Sequence, residues 1–101
     1  VALVMAVTWP EAGNIGGGGF MMVAPPKGKP VMIDYREMAP QSVTKDSFAK
    51  TKLYLDHKAV GVPGTIRGLE LAHKEFGKLS WKELVAPAMK LAEEGYTLDE
   101  A

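Results

Sequence analysis

Arg36 follows Asp34 by two residues and directly precedes Glu37, in the run Asp34-Tyr35-Arg36-Glu37-Met38-Ala39-Pro40. A guanidinium is permanently charged and presents a planar fork that grips a carboxylate through two parallel hydrogen bonds, which is the chemistry needed to hold an amino-acid α-carboxylate. On local composition the competing reading is a modest ion pair of Arg36 with Asp34 or Glu37. On composition alone the ion pair is the favoured reading. A second run, Gly13-Asn14-Ile15-Gly16-Gly17-Gly18-Gly19-Phe20-Met21, contains four consecutive glycines. Each glycine costs conformational entropy and adds no side chain to a core, so such a run serves close approach of backbone. Bare N–H groups can also cradle a phosphate, but a P-loop continues with Gly-Lys-Ser/Thr, and here Phe20-Met21-Met22 follows. A dinucleotide fingerprint runs strand, glycines, helix, whereas this chain reads helix, glycines, strand.

The remaining candidates resolve to packing or capping. His57 and His73 have no acid nearby at metal-ligand spacing on a shared helical face, so no zinc site is expected, and His73 falls at the edge of an apolar stripe as a packing histidine. Ser42, Ser47, Ser80 and the threonines lack a Gly-x-Ser-x-Gly elbow, and Ser80 is better placed as a helix cap. Met21, Met22 and Met32 fit the filling of core gaps. No catalytic nucleophile is found.

Twelve basic and twelve acidic residues among 101 give no clustered excess of positive charge, so neither nucleic acid nor an anionic membrane is expected as a partner. The absence of cysteine removes disulfides and thiolate chemistry without choosing a compartment. Val1 to Val7 is too short to span a bilayer and has no basic residue before it, and it reads as the last turns of a helix in a fragment of a longer protein.

The elements that must position Arg36 follow from local signals. Pro10 ends the first helix by Thr8. Phe20 to Ala24 and Val31 to Arg36 read as two strands of a hairpin joined through Pro25-Pro26-Lys27-Gly28-Lys29, and their nearly continuous apolar character predicts cover on both faces. Residues 37–62 read as connection, with a short helical turn around Asp46 to Phe48. Ile66, Leu69, Ala72, His73 and Phe76 recur at helical spacing, with Glu70 and Lys74 as an outer pair and Gly77 as terminator. Ser80-Trp81-Lys82-Glu83 is a capping-box pattern opening a helix whose apolar set is Trp81, Leu84, Val85, Ala88, Leu91 and Ala92. Gly95 ends that helix, and Pro87 predicts a kink or break over 83–87.

The glycine run and the Arg36 run, followed in order by Val60-Gly61-Val62-Pro63-Gly64-Thr65 and Leu91-Ala92-Glu93-Glu94-Gly95, resemble the γ-glutamyltranspeptidase family over nearly the whole chain. The resemblance implies an α/β (α+β) fold, part of the four-layer αββα sandwich of the N-terminal-nucleophile hydrolases. Residues 1–101 then form a fragment of the large-subunit portion of a single such domain, with no internal boundary. It also implies a precursor that cuts itself to expose a threonine at the start of its small subunit, outside these residues, together with the oxyanion donors. That threonine moves the γ-glutamyl group of a donor such as glutathione to water or to an acceptor amino acid or peptide, with no metal or organic cofactor. Arg36 falls on the arginine of the family's Arg-Glu-x-Ala-Pro segment, which binds the donor's α-carboxylate. A periplasmic or extracellular location is implied by the resemblance alone. The alternatives are a cephalosporin-acylase-like amidohydrolase and a non-catalytic homologue or module.

Overall fold

The computed structural model describes residues 1–9, 11–13, 15–49 and 57–98. Asn14, the geometry of Pro10 and the part of the expected connection over 50–56 lie outside the described residues. The chain forms two compact units, one of residues 1–15 with 69–101 and one of residues 16–68.

The first unit is helical. Helix α1 (Ala2–Thr8) stops where the sequence places its end, and the Thr8 hydroxyl donates back to the Val4 carbonyl at 3.2 Å. It packs on α3 (Trp81–Glu94), and the Tyr96 hydroxyl donates to the Val7 carbonyl at 3.1 Å. Gly13 lies so close to the Met5 carbonyl that a side chain there would collide with it. Helix α2 (Thr65–Phe76), whose residues 65–68 belong to the second unit, ends with the Gly77 N–H on the His73 carbonyl at 2.7 Å. His73 is the packing residue expected of it, with Nε2 2.7 Å from the Leu79 carbonyl and its ring edge-on to Trp81 at 5.5 Å.

Helix α3 opens with the capping box: the Glu83 N–H donates to Ser80 Oγ at 3.3 Å and the Ser80 N–H to Glu83 Oε2 at 2.8 Å. Gly95 closes it in the left-handed region at φ +80°, where a side chain would be strained. Pro87 does not break the helix, which runs unbroken from Trp81 to Glu94. Its missing N–H removes one rung, and a helix this long keeps the turns on either side.

The capping box has a pH signature. Hydrogen bonds from the Ser80 hydroxyl and then the Ser80 backbone hold the Glu83 carboxyl below its ordinary value. A group depressed on folding stabilises fully above its unfolded value, and that contribution is lost as pH falls through the folded value. Amide-exchange protection in the first turn of α3 is therefore expected to fall on acidification below about the ordinary 4.5 of a glutamate. Glu83→Gln should remove that dependence; an unchanged acid profile in Glu83→Gln would contradict the assignment.

The second unit holds the hairpin. Strands β1 (Phe20–Val23) and β2 (Val31–Asp34) pair antiparallel in the register Phe20 to Asp34, Met21 to Ile33, Met22 to Met32 and Val23 to Val31. β2 is shorter than expected, ending at Asp34; Tyr35 still exchanges backbone bonds with Gly19 in the same register, and the Arg36 N–H, on the side away from β1, donates to the Asp34 side chain at 3.0 Å. Within this chain Phe20, Met22, Val31 and Met32 are exposed, while Ile33 is buried and Met21 and Val23 are half-buried.

The expected turn near Asp46 is present, with the Ser47 N–H on the Thr44 carbonyl at 3.1 Å and the Ala49 N–H on the Asp46 carbonyl at 3.1 Å. The connection also contains a short 3₁₀ helix (His57–Ala59) and an isolated antiparallel bridge between Met38 and Val62 that the sequence pattern does not signal. The bridge bonds are 3.1 and 2.7 Å, and they return the chain beside the Arg36 segment before α2 begins.

Candidate functional site

Arg36 lies two residues beyond β2, in a segment fixed almost entirely by backbone. On one side is the glycine loop: the Tyr35 N–H donates to the Gly19 carbonyl at 3.0 Å, and Gly19 returns a longer bond of 3.4 Å. Gly17 has φ +70°, a conformation that L side chains rarely adopt. A Cβ on Gly18 would collide with the Tyr35 carbonyl and come within 2.8 Å of the Glu37 nitrogen. Gly18 thus admits the close approach of one backbone to another, and Gly17 supplies the turn's positive φ.

On the other side is the start of α2. The first amides of a helix have no partner within it. Here Gly64 N–H and Thr65 N–H both donate to the Gly17 carbonyl, at 2.8 and 3.2 Å, and the Thr65 hydroxyl donates to the Gly16 carbonyl at 2.8 Å. The helix start and the glycine loop therefore brace each other. The role of Thr65 was not read from the sequence, where Val62-Pro63-Gly64 registers only as punctuation.

The side chain of Arg36 is 60% exposed, with Nε 3.4 Å from Oε2 of Glu37. That separation exceeds the roughly 2.7–2.9 Å of a charge-assisted hydrogen bond. The Glu37 oxygen, although buried, has no hydrogen bond among the described residues. Asp34 spends one oxygen on the Arg36 backbone N–H. The local ion pair expected on composition thus forms with Glu37, in loose geometry, and it leaves the guanidinium open to solvent. Chemically, the segment offers a braced backbone carrying an accessible cation suited to a carboxylate.

The helical unit contains a recess of about 140 Å³ lined by Leu3, Leu69, His73, Trp81 and Leu84 among others. Its lining is mostly apolar, and His73 is already engaged by the Leu79 carbonyl, so it reads as packing space.

Solved structures with the same arrangement define the class. Over 98% of this chain and 31% of theirs, γ-glutamyltranspeptidase from Pseudomonas nitroreducens, complexed with L-DON, superposes with a TM-score of 0.87 at 48% identity. The Helicobacter pylori γ-glutamyltranspeptidase gives 0.86 at 43% identity over 94% of this chain and 29% of that one. The fold is accordingly the α+β arrangement of these N-terminal-nucleophile hydrolases, of which the chain supplies a helix, a hairpin and two further helices. The γ-glutamyltranspeptidase family model matches residues 1–101, and the chain belongs to that family. It is 49% identical to the glutathione hydrolase proenzyme of Pseudomonas aeruginosa over 94% of its own length and 18% of that protein's. With the glutathione hydrolase proenzyme of Escherichia coli it is 41% identical, spanning all of this chain and 19% of that one.

Proposed function

We propose that this chain is a segment of the large-subunit portion of a single-domain γ-glutamyltransferase that cleaves γ-glutamyl amides such as glutathione. The reading is supported above all by 49% identity to a glutathione hydrolase proenzyme over 94% of the chain. In the parent, the hydroxyl of a threonine at the start of the small subunit attacks the γ-glutamyl carbonyl, and the threonine's own α-amino group accepts the hydroxyl proton. The C–N bond breaks, the amine leaves with that proton, and an ester of the γ-glutamyl group remains on the enzyme. Water or the amine of an acceptor amino acid or peptide then takes the acyl group and restores the hydroxyl. No step calls for a metal or organic cofactor.

Arg36 holds the donor's α-carboxylate in this scheme. The cation does no chemistry itself; it fixes the scissile carbonyl near the nucleophile, a positioning effect that acts by converting a loose encounter into a defined geometry. Its exposed fork and braced backbone are what support this role.

The parent protein is expected to release the chromophore from a γ-glutamyl anilide, and faster when an acceptor dipeptide is added. The 101-residue chain is expected to release none, because it contains no activated nucleophile. Turnover by the purified chain above a buffer blank would overturn the placement of the nucleophile elsewhere, and a parent active on other acyl amides but not on γ-glutamyl ones would favour an acylase-like chemistry.

A further inference from the structure

Four glycines from two distant stretches of sequence converge on one residue, Tyr35, the immediate neighbour of Arg36. A Cβ on Gly18 or on Gly64 would collide with the Tyr35 carbonyl oxygen. A Cβ on Gly68, in the first turn of α2, would collide with Cγ of the Tyr35 ring and lie 2.6 Å from Cδ1. On Gly19 it would press on the far end of that ring, 3.2 Å from both Cε2 and the hydroxyl. Tyr35 is therefore socketed at both its backbone and its side chain, and the ladder bond to Gly19 together with the Thr65 and Gly64 bonds to the glycine loop closes the socket.

Arg36 has little of its own to fix it. Its side chain is 60% exposed, and its contact with Glu37 is 3.4 Å long. A free arginine side chain carries about 2 kcal/mol of rotamer entropy. The rigidity needed to aim such a fork must then enter through the backbone, and the rigid backbone next to it is that of Tyr35.

We propose that Tyr35 is a positioning residue for Arg36: the glycine socket around its ring and carbonyl sets the direction of the guanidinium that receives the donor's carboxylate. The inference rests on the reading of Arg36 given above. It extends that reading to a residue that touches no substrate, and it assigns Gly64 and Gly68 the work of admitting an aromatic ring rather than merely starting a helix.

The test uses the full parent precursor and two donors, a γ-glutamyl anilide and the same anilide without the α-carboxylate. Tyr35→Leu removes the ring and leaves an apolar filling. Small misplacements of a bound substrate cost up to about 100-fold, so KM for the carboxylate donor is expected to rise by roughly tenfold or more. The carboxylate-free donor should change by less than about twofold, within the scatter of surface substitutions. In an Arg36→Ala background Tyr35→Leu should have no further selective effect, and Tyr35→Phe, which keeps the ring, should restore the wild-type ratio between donors.

Equal loss toward both donors, or a selective loss that persists without Arg36, overturns the proposal. Should Arg36→Ala discriminate between the donors while Tyr35→Leu does not, this inference fails alone. Should Arg36→Ala itself fail to discriminate, the reading of Arg36 fails and takes this one with it. If Tyr35→Leu does not mature, Tyr35→Met, which keeps more of the volume, supplies the same comparison; if neither matures, the ring is a folding element and the proposal is wrong.

Discussion

Gly18→Val in the parent precursor is expected to abolish most self-processing, whereas any enzyme that does mature should bind donors almost normally. The added Cβ would overlap the Tyr35 carbonyl, and the valine methyls would reach further toward the Glu37 nitrogen, already 2.8 Å from that Cβ. These obstacles are backbone atoms, which cannot rotate away as the tip of a flexible side chain can. Overpacking of this kind typically costs about 1–3 kcal/mol, and here the displaced strand end also loses its bonds to Gly19. Gly17→Val meets a different obstacle of similar size. At φ +70° an L residue costs roughly 1–2 kcal/mol, and a β-branched one more. Gel analysis of precursor against subunits checks both, and normal processing in the two variants would show that the loop does not require its glycines.

Arg36→Ala carries the other large effect, and it falls on a different step. Removing one partner of a charge pair in a closed site costs about 2–5 kcal/mol, which is roughly 30-fold to several thousand-fold in kcat/KM. The loss should fall mainly on KM for γ-glutamyl donors. Arg36→Lys keeps the charge but loses the two-pronged geometry, so its kinetics should lie between wild type and alanine. Self-cleavage should proceed, since the precursor's own threonine needs no donor carboxylate. An Arg36→Ala precursor that fails to mature would identify Arg36 as a structural partner of Glu37.

The features legible in the sequence are those whose causes are local. Pro10 marks the end of α1 at Thr8, and the four residues from Ser80 to Glu83 contain their whole capping box. Gly95 is required where φ turns positive. The hairpin likewise follows from two apolar runs and the turn residues Pro25, Pro26 and Gly28 between them. What the sequence hides depends on distant partners. The bridge from Met38 to Val62 is a single pair with no periodicity to announce it. In the candidate site, Arg36 stands out by charge and motif, whereas the Tyr35 socket is invisible until Gly18 and Gly19 meet Gly64 and Gly68 in space.

The central claim is that Arg36 receives the α-carboxylate of a γ-glutamyl donor. The most direct test is a crystal structure of the mature parent enzyme with a γ-glutamyl ligand bound. The account predicts the ligand's α-carboxylate on the Arg36 guanidinium through two hydrogen bonds of about 2.7–2.9 Å. A ligand carboxylate bound by other groups, with Arg36 still turned onto Glu37, would contradict it.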